Sequence, residues 1–233
     1  MSDYMIGSAG THCISVLQPI ILGEYKMNEM PEKNTQKNTV EPQQEKVDRN
    51  LYEWVQALVV SVLTVMLLFT FVIRMISVDG TSMLPTLQDG DRLLVLDAAW
   101  CGDLQYGDIV VLRKEAFYYE PIVKRIIAVG GQTVDIDYST GSVYVDGELL
   151  EEDYINELTF DDEGLEFPVT VDKGCIFVMG DNRNASDDSR NPRLGIVDER
   201  YVLGRAVFML FPGRDSVTKK PDYSRIGMIR GLE

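Results

Sequence analysis

The sequence predicts a mainly β domain, built from antiparallel sheets, that follows a single transmembrane helix. Two observations lead to this fold class. A run of 20 residues without a charge occupies 54–73, and after it short apolar or alternating runs recur between Gly and Asp turns. A chain of 233 residues allows one core of moderate size. We therefore expect a disordered tail over 1–53, a membrane helix over 54–73 and a β-rich domain over 74–233.

The uncharged run is long enough to cross a membrane. At about 1.5 Å per residue, a helix of this length reaches about 30 Å, the thickness of the hydrocarbon core. Trp54 stands at one end of the run, where aromatic residues are enriched at the membrane interface. The alternatives are a buried core helix and a cleaved signal peptide. The length disfavours the first, and the internal position without a following A-x-A site disfavours the second.

The charges that flank the span favour a cytoplasmic tail and an external domain. Positive residues are enriched on the cytoplasmic side of membrane helices. Three basic residues closely precede the span and two follow it: Lys37, Lys46 and Arg49 before it, and Arg74 and Arg92 after it. The tail is predicted to be disordered because its segment 27–46 is polar and almost free of aliphatic residues.

Seven runs in the domain have the composition of β-strands, because they are apolar or alternate with period two. They are 92–97, 108–113, 121–129, 133–138, 142–146, 175–179 and 201–211. Asp146-Gly147 predicts a two-residue hairpin turn after the fifth run. The acidic stretch 151–165 is predicted to be a surface insertion.

The composition excludes several classes of function. The 22 basic and 37 acidic residues give a formal net charge of -15, which argues against nucleic acid as a partner because that requires clustered basic residues. His12 is the only histidine and lies in the tail. The domain therefore cannot hold a Ser-His-Asp triad, a Cys-His dyad or a histidine-based zinc site. Cys13, Cys101 and Cys175 lack metal-site spacing, and a Cys101–Cys175 bridge stays open.

The first motif that could carry chemistry is GTSMLPTL, residues 80–87. Ser82 lies nine residues after the span, so it is within about 32 Å of the bilayer. Gly80 lets the backbone approach a ligand closely. The alternative is a connecting turn with an ordinary exposed serine.

The second motif is the strand 121–129, which contains a lysine in apolar surroundings. Alternation places Lys124 on the same face as Ile122 and Ile126, with Arg125 on the other face. Burial of a lysine lowers its pKa and favours the neutral form that a general base needs. The alternative is a lysine that protects an edge strand from aggregation.

The third motif is GDNRNASDDSR, residues 180–190, directly after an apolar strand. Its carboxylates and guanidinium groups can hold a loop in one shape through charge-assisted hydrogen bonds. A solvated polar turn is one alternative. A calcium loop is another, although the Gly and terminal Glu of an EF-hand loop are missing.

Together the three motifs resemble, in the same order, those of the bacterial type I signal peptidases. The resemblance extends over about residues 54–211 and includes GDRLLV and YGDIVVLR between the first two motifs. It implies an antiparallel β-sheet catalytic domain of the signal-peptidase type. It also implies a single-pass protein of the cell membrane that needs no metal or organic cofactor.

The resemblance assigns Ser82 as the nucleophile and Lys124 as the general base. Ser186 falls where the family has a serine that orients the lysine amine through a hydrogen bond. Gly80 stands where some members have a serine that donates to the oxyanion. The backbone N–H of Ser82 is then one oxyanion donor, and the second donor stays open.

The same resemblance gives supporting roles to four charged residues. Asp188 and Arg190 match the family's structural carboxylate and arginine, and Asp181 and Arg183 are expected to support the loop. The implied partners are secretory preproteins, cut after small residues at A-x-A sites through an acyl-enzyme. The lipid bilayer and nearby export machinery are the other implied partners.

Two other classes of function stay open. One is a self-cleaving regulator with a similar Ser/Lys domain, against which the membrane span argues. The other is a non-catalytic membrane-tethered module, against which the intact serines and lysine of the three motifs argue.

Overall fold

The computed structural model of this chain describes residues 43–215 and 218–229, with side chains from Arg49 onward. Most of the predicted tail, including His12 and Cys13, lies outside the described residues. The chain divides into two units, Met1–Asp48 and Arg49–Glu233, and the first lies mostly outside the described residues. The sheets and the candidate site all belong to the second unit.

A single long helix, α1, spans Gln43–Phe71. Within its part from Arg49 to Phe71, an 18-residue window has a mean hydropathy of 2.2, and none of that window is buried in the protein. It is therefore long and apolar enough to cross a membrane. The hydroxyl groups of Ser61, Thr64 and Thr70 donate to backbone carbonyls three or four residues earlier. These bonds satisfy polar groups that would be costly in hydrocarbon.

The helix differs from the predicted span 54–73 at both ends. Residues 43–53, predicted as disordered tail, are helical, because the good helix formers Gln, Glu, Lys and Arg continue the helix beyond its apolar part. At the other end the helix stops at Phe71. Ile73 already belongs to a strand and pairs with Leu96.

Twelve strands form two sheets in the described part of the chain. They are β1 Ile73–Ser77, β2 Arg92–Asp97, β3 Ile109–Leu112, β4 Ile122–Val129, β5 Thr133–Asp137, β6 Ser142–Val145, β7 Glu148–Leu149, β8 Val169–Thr170, β9 Cys175–Met179, β10 Val197–Asp198, β11 Val202–Phe211 and β12 Gly227–Met228. The large sheet has the order β1-β2-β11-β3-β4-β9-β10, with β12 beside β11, and the small sheet has the order β7-β6-β5-β8. Neighbouring strands are antiparallel, which confirms the predicted fold class.

The predicted strands agree closely with the observed ones. β2 and β9 have the predicted bounds, and the other five predicted runs lose only one residue at one or both ends. The hairpin between β6 and β7 is confirmed, since Asp146 and Gly147 both have positive φ, 53° and 82°. The sequence did not predict β1, because its residues directly continue the apolar helix. It also did not predict the two-residue strands β8, β10 and β12.

Apolar packing fixes the two segments that carry the first two motifs. Met83 and Leu87 are buried in a cluster with Leu93 and Val95 of β2. On β4, Ile122 and Ile126 pack into the same second cluster, as expected of residues that share one face of a strand. The serine segment and the lysine strand are therefore both anchored by the core.

The stretch 151–165 is not simply the surface insertion that its acidic composition predicts. Tyr154 and Thr159 are buried, and the side chains of Glu152 and Glu163 are only 6% and 8% exposed. These carboxylates lie inside the fold because each meets a buried guanidinium group. Acidic composition alone does not reveal such partners.

Candidate active site

The serine of the first motif and the lysine of the second meet. Lys124 Nζ donates a hydrogen bond of 2.8 Å to Ser82 Oγ. Ser82 lies in the segment between β1 and β2, and Lys124 lies on β4, where it pairs with Val110. The two residues are 42 positions apart in sequence, so only the sheet brings them together. This contact has the distance that a nucleophile and its base require.

The Lys124 amine is held in a setting that disfavours its charge. The residue is 3% exposed. Burial lowers the pKa of the Lys124 amine below its ordinary value, and Arg190 acts in the same direction. The carboxylates of Asp188, Glu163 and Asp187 oppose this shift but do not cancel it. A larger share of the lysine is therefore neutral than in water, and a neutral amine can accept a proton.

Ser82 is also joined to the third motif through its backbone. Asn182 N donates to the carbonyl of Ser82 at 3.0 Å, and Asn182 Nδ2 donates to the carbonyl of Thr81 at 3.0 Å. A Cβ atom on Gly180 would overlap Ser186 Oγ and would lie 2.5 Å from the Ser82 carbonyl oxygen. Gly180 is therefore required by close approach of the two segments. Asn182 and Gly180 belong to the third motif, but the sequence did not reveal a role for either residue.

Asp188 and Arg190, which the resemblance assigned as a structural carboxylate and arginine, form a buried fork. Arg190 Nε donates to Asp188 Oδ1 and Arg190 Nη2 donates to Asp188 Oδ2, both at 2.8 Å. Burial acts to raise the pKa of Asp188, but the hydrogen bonds and charge of Arg190 outweigh it and the pKa is lowered. Asp188 Oδ2 also accepts from Gly180 N at 3.0 Å. The charged carboxylate thus organises the start of the loop.

Ser186 does not make the predicted hydrogen bond to Lys124. Its hydroxyl group donates to Asp188 Oδ2 at 2.9 Å. In the described part of the chain, the hydrogen bond of the lysine amine goes to Ser82. An ionised carboxylate is the stronger acceptor, and this competition explains the difference. Ser186 still lies at the site, beside Gly180.

Asp181 and Arg183 are both buried, and each has a partner outside the loop. Asp181 accepts two hydrogen bonds from Arg125, at 2.8 Å from Nε and at 2.6 Å from Nη2. Arg183 Nη1 and Nη2 donate to the two carboxylate oxygens of Glu152 at 2.9 and 2.6 Å. The sequence analysis placed Arg125 opposite Lys124 on its strand, but neither Arg125 nor Glu152 was recognised as a partner.

A cleft of about 730 Å³ opens beside Ser82 and Lys124. Gly80 lines it with φ +97°, and a Cβ atom there would meet nothing within 4 Å. The backbone conformation is the reason for glycine at this position. Gly80 N donates to Asp89 Oδ1 at 3.0 Å, so this N–H group is already used.

The sequence analysis also left open a calcium loop in the third motif and a bridge between Cys101 and Cys175. Among residues 43–215 and 218–229, there is no group of three or more His, Cys, Asp or Glu residues placed to hold a metal ion. Two carboxylates of the third motif, Asp181 and Asp188, pair with arginines instead of converging as a calcium loop would require. Cys101 and Cys175 are both free thiols, so the bridge that the sequence left open is not formed.

Comparisons with known proteins point to one family. The family described as "Signal peptidase, peptidase S26" matches residues 51–211, a range that contains all three motifs. Signal peptidase I of Bacillus licheniformis is 38% identical over 174 residues, covering 70% of this chain and 90% of that protein. Signal peptidase I T of Bacillus subtilis (strain 168) is 39% identical over 191 residues, covering 78% and 94%.

Among solved structures, a signal peptidase I from Enterococcus faecalis V583 is 29% identical and covers 45% of this chain and 97% of that chain, with a TM-score of 0.37. The assignment rests on the family match and on the relatives that align over nearly their whole length. The chain belongs to the signal peptidase family, peptidase S26, and is therefore a serine peptidase.

Proposed function

We propose that this serine peptidase removes signal peptides from exported preproteins with Ser82 as nucleophile and Lys124 as general base. The single observation that carries the proposal is the 2.8 Å contact between Lys124 Nζ and Ser82 Oγ. The relatives' activity as signal peptidase I gives the reaction class. The absence of histidine from residues 13–233 leaves a lysine as the base within reach of the serine.

The proposed chemistry proceeds in two halves. Neutral Lys124 takes the proton of the Ser82 hydroxyl as Oγ attacks the carbonyl carbon of the scissile bond. The resulting ammonium then gives its proton to the leaving amine, the C–N bond breaks, and an acyl-enzyme remains. In the second half, Lys124 takes a proton from water, which attacks the ester, and Ser82 recovers its proton when the signal peptide leaves.

The oxyanion formed in each half needs hydrogen-bond donors. We assign the backbone N–H of Ser82 as one donor. Gly80 has no side chain to donate, and its N–H is engaged by Asp89, so Gly80 acts by shaping the cleft. Loss of an oxyanion donor costs about 3–4 kcal/mol in other enzymes, so the second donor is a sizeable part of the mechanism.

The substrate is proposed to bind in extended form beside the serine. The cleft is bordered by Ile76 and Ser77 at the end of β1 and by Ile122 and Val123 at the start of β4. β1 lies at an edge of the large sheet, so its free side can pair with an added strand. Small residues, chiefly Ala, at the first and third positions before the cut would allow the backbone to approach Ser82.

The topology proposed is a cytoplasmic tail with the β domain outside the membrane, near the lipid surface and the export machinery. Helix α1 joins β1 through one residue, Val72, which supports a domain that lies directly at the membrane. In this topology the site would be close to the point where a signal peptide emerges. Protease added to spheroplasts should digest residues 80–233 and spare the tail; the reverse pattern would refute the orientation.

The function is tested by preprotein cleavage with purified full-length protein in detergent. The wild type should release the mature protein with its N-terminus after an A-x-A site, in the presence or absence of a chelator. Ser82→Ala should be inactive and equally folded. Cleavage by Ser82→Ala, or the lack of any cleavage by wild type of a preprotein that a relative processes, would refute the proposal.

A further inference from the structure

The segment 151–165, which we call the acidic strap, follows the third motif along its length. Asn156 N donates to the carbonyl of Asp181 at 2.9 Å near the start of the motif. Leu165 N donates to the carbonyl of Arg190 at 3.0 Å at its end. Between these points, Asn184 Oδ1 accepts from two backbone N–H groups of the strap at 2.9 Å. The strap is therefore bound to the loop that supports the lysine.

Two carboxylates of the strap meet the two buried arginines of the loop. Glu152 forms a two-pronged pair with Arg183, which has the geometry of a stable Arg–carboxylate fork. Glu163 meets Arg190, with 2.9 Å between Oε1 and Nη2. Both are pairs of a carboxylate and a guanidinium group, but only the Glu152–Arg183 pair has hydrogen bonds to both carboxylate oxygens.

Glu163 is a buried carboxyl group with one unsatisfied oxygen. Its Oε2 accepts from Asp188 N at 3.3 Å, but Oε1 has no hydrogen-bond donor. Arg190 Nη2 cannot supply one, because it already donates to Asp188 Oδ2 at 2.8 Å and to the Arg183 carbonyl at 2.6 Å. An ionised carboxylate with one oxygen that lacks a hydrogen-bond donor is unfavourable in the interior. The site thus favours the protonated form of Glu163.

From this geometry, and on the basis of the proposed Ser82–Lys124 mechanism, we infer that Glu163 is a positioning residue. It acts through the Asp188–Arg190 fork and limits the pH range over which Lys124 serves as the base.

The charges around the two groups give the direction of the effect. Burial and the nearby Asp188 and Asp187 raise the pKa of Glu163 to about 8, against the opposing charge of Arg190. Glu163 therefore loses its proton on the alkaline side of neutral. Once ionised, it raises the pKa of Lys124. The carboxylate thus opposes loss of the lysine proton in the range where activity should increase.

The other charged and titratable groups near Glu163 and Lys124 do not account for a change of charge near pH 8. On the loop, Asp187 is exposed, so solvent screens its charge, and Asp188 is neutralised by the Arg190 fork. The strap contributes Asp162, which lies near Tyr138. The Tyr138 hydroxyl is buried without a hydrogen-bond partner, and its pKa is raised to about 12, chiefly by burial. Glu163 is therefore the buried group here that changes charge near pH 8.

The test compares pH profiles of kcat/KM for the wild type and Glu163→Gln, using full-length protein in detergent and one preprotein. Gln keeps the side-chain size but cannot ionise. In Glu163→Gln, the part of the profile where kcat/KM rises with pH (the rising limb) should move to lower pH by about 0.5 unit or more, because a nearby negative charge has been removed. Glu152→Gln is the matched control. It removes the other buried strap carboxylate, so it should lower the melting temperature without moving the limb.

Glu163→Ala is the second variant, because it also removes the carboxylate but leaves room for water at the Asp188 N–H group. It should give the same shift. A limb that stays in place, or moves to higher pH, in a folded Glu163 variant overturns the inference. So does the loss of cooperative melting in both variants, since Glu163 would then be needed only for folding. Cleavage by Lys124→Met would instead overturn the proposed mechanism itself, which keeps the two failures distinct.

Discussion

Replacing Lys124 by Met removes the proposed base and keeps most of the side-chain volume. The methionine cannot accept the Ser82 proton across the 2.8 Å contact that the amine makes. A positioned general base contributes about 10²–10⁴-fold to rate, which is about 3–5 kcal/mol of activation free energy. The same amine must also protonate the leaving group. We therefore expect the kcat of Lys124→Met to fall by at least about 10²-fold, with no compensating change in KM.

The same substitution should not destabilise the fold near neutral pH. Burial lowers the pKa of Lys124, so the folded state binds this proton less tightly than the unfolded chain does. Folding is penalised at pH below the folded pKa, and the penalty fades as pH rises toward the unfolded value of about 10.4. Each unit of pKa depression corresponds to about 1.36 kcal/mol. The methionine carries no such penalty, and Asp188 keeps its pair with Arg190.

The assay measures preprotein cleavage and thermal melts on the same samples at several pH values. Lys124→Met should be inactive and should melt at or above the wild-type temperature near pH 7, with the difference shrinking at alkaline pH. Lys124→Arg is the comparison, because arginine stays charged and cannot act as a base. Substantial cleavage by either folded variant would show that Lys124 is not the base, and the mechanism would have to be abandoned.

Three further substitutions test the loop that surrounds the dyad. Ser186→Ala should lower kcat more than it raises KM, because it removes a hydrogen bond to Asp188 without touching a substrate-binding group; unchanged kcat would remove Ser186 from the mechanism. Asp181→Asn should lower stability by about 3–5 kcal/mol, measured by denaturant unfolding, because it leaves the Arg125 charge buried without its partner; a loss below about 1 kcal/mol would contradict this. Gly180→Ala should reduce activity at temperatures where the protein stays folded, because its Cβ would overlap Ser186 Oγ and press on the Ser82 carbonyl; wild-type kcat would show that the close approach is not needed.

Local patterns were sufficient to predict most of the sheet, whereas the two residues of the proposed dyad needed the resemblance as well. Strands such as β2 and β9 could be predicted because a strand with one or both faces buried must be apolar with period two, or continuously apolar. The hairpin at Asp146-Gly147 follows from backbone conformations that few residues other than Gly, Asn and Asp adopt readily. The roles of Ser82 and Lys124 followed from the resemblance of their motifs, together with a domain that has no histidine.

Contacts between distant segments were decided only by the tertiary structure. The sequence shows a polar, acidic stretch at 151–165, and nothing local distinguishes a solvated carboxylate from one such as Glu152 that meets a buried guanidinium. Ser186 was expected to bond the lysine, but Asp188, two residues later, is the stronger acceptor once the loop has closed around Gly180. The burial of Glu152 and the hydrogen bond of Ser186 both depend on which polar groups are buried together on folding. Packing between distant segments determines this, and the neighbouring residues in the sequence do not.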